Sequence, residues 1–197
     1  MNVSTMSSTP VWRASLALAL VTLLGFGLLY SLAGAGLGRV LFPHQANGSL
    51  IERDGQVIGS SLVAQPFADD RYFQSRPSAA SYSVMGLAGS NQARTNPDLR
   101  ARIDEARAAV AAREGVTPAD VPSDLVTQSG GGIDPHLSPA AVQIQIARVA
   151  RVRGLPVGEV EQVVAEHTEG RQFGLLGAPR VNVLELNLAL DARGKPE

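Results

Sequence analysis

The chain has 197 residues, a formal net charge of −1 and no cysteine. That length suits one domain with an appendage. The balanced charge supplies no basic field for nucleic acid, and the absence of cysteine excludes disulfides and thiolate chemistry.

The first element is apolar. No residue from Ala14 to Gly38 is charged, and Arg13 and Arg39 bound the run. A helix over it reaches roughly 36 Å, beyond the ~30 Å hydrocarbon core of a bilayer. The expected organisation is a short cytoplasmic tail (1–13), a transmembrane helix (14–38) and a soluble domain outside the cytoplasm (39–197). Ala33-Gly34-Ala35 resembles a signal cleavage site, but the apolar run exceeds the 7–15 residues of an h-region, so an uncleaved anchor fits better. Arg13 and Arg39 balance each other; the short N-terminal tail before a large domain is what sets the N-inside expectation. Gly34 and Gly38 have the small-xxx-small spacing of packed membrane helices.

Beyond the anchor, Ser49–Arg53 reads as a strand and Asp54-Gly55 as a two-residue hairpin turn. Gln56–Val63 returns as the partner, with Gly59 placed for a bulge. Arg71–Phe73 suggests one more short strand. Residues 75–96 are rich in Ser, Gly, Ala and Asn and read as a long loop. Asn96-Pro97 opens a helix with the stripe Leu99, Ile103, Ala106 and Val110, ended by Gly115. After a second loop, 116–137, Ser138-Pro139 starts another helix, which Gly154 stops. Pro156 opens a third helix, with Val157, Val160, Val163, Val164 and His167 on one face. Asn182–Ala192 alternates like a strand, but the capping-box spacing of Asn182 and Glu185 favours a helix. The fold class is therefore α+β: one transmembrane helix, then a single extracytoplasmic domain with a small hairpin and several helices.

The densest polar constellation is the loop from Asp124 through Ser129-Gly130-Gly131-Gly132 to Asp134, His136 and Pro139. Glycines before a helix start can cradle an anion, yet the Gly-Lys-Ser/Thr ending of a P-loop is missing. Ser129, Asp134 and His136 are triad residue types, but they lie too close in sequence and no Gly-x-Ser-x-Gly elbow holds the serine. His136, His167, Asp134 and Glu169 match no metal-ligand spacing, so no metal is expected. Arg148, Arg151 and Arg153 read as a solvated helix face.

Taken in order, the motifs resemble one family. These are Tyr72-Phe73-Gln74-Ser75-Arg76-Pro77-Ser78-Ala79, Gly89-Ser90-Asn91, Thr95-Asn96-Pro97 and the Val121–Pro139 loop. Gln145, Arg148-Val149-Ala150, His167-Thr168-Glu169-Gly170-Arg171 and Pro179-Arg180-Val181-Asn182-Val183-Leu184 follow. With the anchor and the Asp54-Gly55 hairpin they resemble the C subunit of the Kdp-type potassium-transporting ATPase. The resemblance implies a non-catalytic accessory subunit of an ATP-driven, high-affinity potassium uptake complex in the bacterial inner membrane. It implies three partners: a channel-like potassium-translocating subunit, a P-type ATPase subunit and a small membrane subunit. It implies roles in assembly and in raising the pump subunit's ATP affinity, as a catalytic chaperone. It implies no firmly bound cofactor, with ATP possible through the partner pump subunit. By the same resemblance, Ser129, Gly130, Gly131 and Gly132 correspond to a nucleotide-touching loop. Tyr72, Arg76, Asn91, Asn96, Asp134, His136, His167 and Arg171 are then expected to contact partners. Two alternatives from other classes are a membrane-anchored periplasmic hydrolase using Ser129, His136 or Asp134, and a direct nucleotide-binding module.

Overall fold

The computed structural model describes residues 11–193, so the first ten residues of the expected tail and the last four of the expected domain lie outside the described residues. The chain divides into two compact units between Ser49 and Leu50.

The first unit is dominated by helix α1, Val11–Leu41. It is long and apolar enough to cross a membrane, and it extends past both ends of the uncharged run. Its leucines and Phe26 are exposed, as suits a helix solvated by lipid. Over Thr22–Tyr30 the backbone bonding widens to the i→i+5 pattern, and the Thr22 hydroxyl donates to the Leu18 carbonyl at 2.8 Å.

The second unit begins with the antiparallel strands β1 (Leu50–Arg53) and β2 (Gln56–Ser60). Asp54 and Gly55 turn between them with φ of 54° and 75°, the positive pair that a type I′ turn needs. Gly59 pairs with Ile51 and Val57 with Glu52, so the register slips by one residue and the bulge falls at Ile58. Helix α2 (Pro97–Glu114) starts on the Asn96 side chain, which accepts from the Asp98 amide at 2.8 Å, and stops at Gly115 in the left-handed region.

Strand β3 (His136–Leu137) leads into helices α3 (Pro139–Gln143) and α4 (Ile146–Arg153). The sequence suggests one helix here. The structure breaks it at Ile144-Gln145, where the Gln145 amide donates to the Val142 carbonyl at 3.0 Å and its side chain back-bonds to Ala141 at 3.1 Å. Helix α5 (Val157–Glu166) buries Val160, Val163 and Val164. Strands β4 (Thr168–Glu169) and β5 (Arg180–Asn182) complete a three-stranded antiparallel sheet in the order β3-β5-β4. Helix α6 (Val183–Arg193) closes the described chain; the Asn182 side-chain oxygen Oδ1 caps it by accepting from the Glu185 amide at 3.2 Å. The core gathers Phe73, Leu137, Val142, Val149, Val160, Val163, Val181, Leu186 and Leu190.

Arg71–Phe73 is not a strand. Side chains replace a neighbouring strand. Asn187, 1% exposed, accepts from the Phe73 amide at 2.8 Å and donates to its carbonyl at 2.9 Å. Gln145 does the same for Gln74 at 2.8 and 3.3 Å. Arg148 is also not on a solvated face. It is 2% exposed and pairs at 2.9 Å with the fully buried Glu114 carboxylate. It donates as well to the Asp70 and Tyr72 carbonyls and to Gln145. The helical period places Arg148 beside two other arginines. It cannot show that an unpaired stretch of chain passes over the same turn and needs its carbonyls satisfied.

Candidate partner-docking site

Residues 70–76 emerge from that clamp and deliver Arg76 to the loop before β3. Arg76 Nη1 lies 3.0 Å from Asp134 Oδ2. Asp134 Oδ1 accepts from the His136 amide at 3.0 Å and faces His136 Nδ1 at 3.3 Å. The Tyr82 hydroxyl donates to the Arg76 carbonyl at 2.7 Å, fixing the backbone behind the guanidinium. Arg76, Asp134 and His136 therefore form one half-buried charged cluster. It lines an open groove of about 670 Å³, walled also by Ser123, Asp124, Ser138 and Arg180. Asp124 Oδ2 accepts from the Ser138 amide at 2.7 Å and holds the groove floor to the start of α3.

The hydrogen bond from the His136 ring, helped by its amide and by Arg76, holds the Asp134 carboxyl below the usual carboxylate range, against the upward push of burial. A carboxyl depressed by folding adds stability above its unfolded value of about 3.9, and that stability is lost as pH falls through the lower folded value. Asp134→Asn is therefore expected to reduce the loss of thermal stability on acidification below about pH 4, read by melting the detergent-solubilised chain across that range. An unchanged acid limb contradicts this assignment.

The glycine loop is built against residues 75–96. The Ser78 hydroxyl donates to the Gly132 carbonyl at 2.5 Å. Gly132 has φ of 75°, and a Cβ there would stand 2.8 Å from the Ala88 carbonyl oxygen. A Cβ on Gly89 would stand 2.6 Å from the Gly130 oxygen. Gly131 faces open space. Ser129 is 6% exposed, and among the described residues its Oγ meets only the Asp134 amide, at 3.4 Å.

The remaining sequence-selected residues lie apart from this cluster. Tyr72 stacks between Arg71 and Arg153, with guanidinium distances of 5.0 and 5.2 Å, and its hydroxyl donates to Asp191 at 3.3 Å. Asn96 caps α2, and the His167 ring nitrogen Nδ1 lies 2.8 Å from the Val163 carbonyl at the end of α5. Asn91 is exposed with φ of 50°, and Arg171 is exposed at the base of the β4–β5 connection. Sequence reasoning passes over Asp124 and Arg180 as groove walls. It also passes over Phe173, Leu175 and Leu176, which stand 84%, 79% and 61% exposed. Their signal is an apolar cluster set between glycines in an otherwise polar turn.

The family model described as K+-transporting ATPase, c chain, matches residues 12–192. The chain belongs to the KdpC family. A KdpC relative from Xanthomonas campestris pv. campestris (strain B100), named Potassium-transporting ATPase KdpC subunit, is 62% identical over 182 residues, covering 92% of this chain and 87% of its own. Relatives with the same name from Methylococcus capsulatus and Sorangium cellulosum are each 53% identical, covering 92% and 91% of this chain and 97% and 96% of theirs. The KdpC match runs through the anchor, the clamp, the charged groove and both small sheets.

Proposed function

We propose that the chain is a non-catalytic accessory subunit of an ATP-driven potassium uptake complex, and that the Arg76–Asp134–His136 groove docks on a sister subunit. The observation that carries this reading is the family match across residues 12–192. Helix α1 anchors the chain with its N-terminus in the cytoplasm, and the soluble unit stands outside. Its sister subunits are channel-like, P-type ATPase and small membrane proteins, as the family resemblance implies. The groove supports docking because it offers charge of both signs, half-desolvated and held rigid by Tyr82 and Ser138.

A hydrolase reading has no comparable support. Ser129 is 6% exposed, its Oγ accepts from the Asp134 amide, and among the described residues no hydrogen bond joins it to His136, which a nucleophilic serine needs as its base. With the soluble unit outside, cytoplasmic ATP does not reach the glycine loop. An effect on ATP affinity then requires two pump states that this subunit binds unequally.

The test is recovery of sister subunits with the tagged full-length chain from membranes. Arg76→Ala is expected to lower recovery about tenfold, the scale of one interface residue worth about 1.4 kcal/mol. Recovery equal to wild type removes the groove from the interface.

A further inference from the structure

The connection between β4 and β5 folds into its own small hairpin. The Gln172 and Leu176 backbones exchange hydrogen bonds at 2.9 Å, and the Gly174 amide donates to the Arg171 carbonyl at 3.1 Å. The turn residues Phe173 and Gly174 have φ of 53° and 73°. Glycine adopts that conformation freely; a phenylalanine does not. The fold thus holds a bulky aromatic in an unfavourable turn position and leaves its ring in water, with two leucines beside it. Neither feature serves the core, which contains none of these three residues.

We infer that the tip Phe173–Leu176 is an apolar anchor that inserts into a hydrophobic pocket on a sister subunit of the pump. This rests on the docking reading above and extends it. The returning limb, Ala178–Arg180, is a wall of the charged groove, so the tip and the groove belong to one continuous hairpin. Their anatomy is that of an interface: exposed aromatic and aliphatic anchors with a charged rim.

Other occupants fit less well. The flanks carry Glu169, Arg171 and Arg180, and pairing of Arg180 with Glu169 leaves one basic side chain, Arg171, whereas a tip that enters an anionic lipid surface is ringed by several. The three side chains offer on the order of 400 Å², about half of what each partner gives in a standard interface. That is too little to hold two copies of this chain together through their tips. It is enough for one anchor within a larger contact between subunits already confined to the same membrane.

Phe173→Gly separates the anchor from the turn, because glycine keeps or eases the backbone geometry while deleting the ring. In the full-length tagged chain, expressed with its sister subunits, Phe173→Gly combined with Leu175→Ser is expected to lower sister-subunit recovery at least tenfold. The melting temperature of the purified variant chain should stay at the wild-type value. A photo-cross-linking amino acid at Leu176 is expected to form an adduct with a sister subunit. Wild-type recovery by the double variant overturns the inference, as do adducts confined to lipid or to a second copy of this chain. A wild-type chain that recovers no sister subunit overturns the docking reading beneath it as well; wild-type success with an unaffected variant overturns only the anchor.

Discussion

Arg148→Ala is expected to destabilise the soluble unit by about 3–5 kcal/mol, the cost of breaking a buried ion pair by removing one of its members. The Glu114 side chain is fully buried and accepts from Arg113 at 2.6 Å as well as from Arg148 at 2.9 Å. Removing Arg148 strands part of that carboxylate together with the Asp70 and Tyr72 carbonyls, and leaves the Gln145 amide oxygen with the Gln74 amide alone. Arg148→Lys should rescue little, because a single ammonium cannot span four acceptors in a plane. Equilibrium denaturation of the full-length chain in detergent reads the loss, as a lower midpoint for the soluble unit. A change below about 1 kcal/mol would show that the clamp on residues 70–74 is dispensable.

The second large effect concerns the glycine loop. Gly132→Ala should cost about 2–4 kcal/mol. It combines a strained left-handed φ with a collision at 2.8 Å against backbone, which has no flexible end to swing away. Gly131→Ala, one residue earlier, faces open space and should be close to neutral. This contrast distinguishes two reasons for a run of glycines. If the loop serves packing against residues 75–96, the cost concentrates at Gly132. If it serves close approach of a phosphate, Gly131→Ala impairs binding of added ATP while stability holds. Paired melts and calorimetric ATP titrations of both variants decide between them, and the packing account predicts no heat from ATP even for the wild type.

What the sequence disclosed follows from which forces are local. The long apolar helix was legible because its uncharged run is longer than a signal h-region and long enough to cross a bilayer. The Asp54-Gly55 turn and the Asn96, Ser138 and Asn182 caps were legible because each satisfies backbone groups within three residues of itself. Strands β3 and β4 were not, since two-residue strands carry no period and exist through pairing with β5. Arg71–Phe73 resembles a strand in residue type, but the chain turns at Arg71 and bends at Tyr72, and the backbone that is paired is that of Phe73 and Gln74. Its partners are the side chains of Asn187 and Gln145, more than 70 positions away in sequence. Arg148 was misread for the same cause. At the candidate site, Arg76 comes from one motif and Asp134 and His136 from another, and the structure brings Arg76 and His136 each within hydrogen-bond reach of Asp134. Phe173 was missed because alternation and helical period both ignore a lone apolar cluster in a turn.

The central claim is that this chain is an accessory part of a potassium pump. Potassium-stimulated ATPase activity, measured in membranes carrying the sister subunits with and without this chain, tests it most directly, with the yield of assembled complex followed in parallel. The account predicts that omitting the chain abolishes the potassium-stimulated activity, or shifts its dependence on ATP or potassium, and that adding back the full-length chain restores it. Full activity, unchanged affinities and normal assembly in the absence of the chain would contradict it.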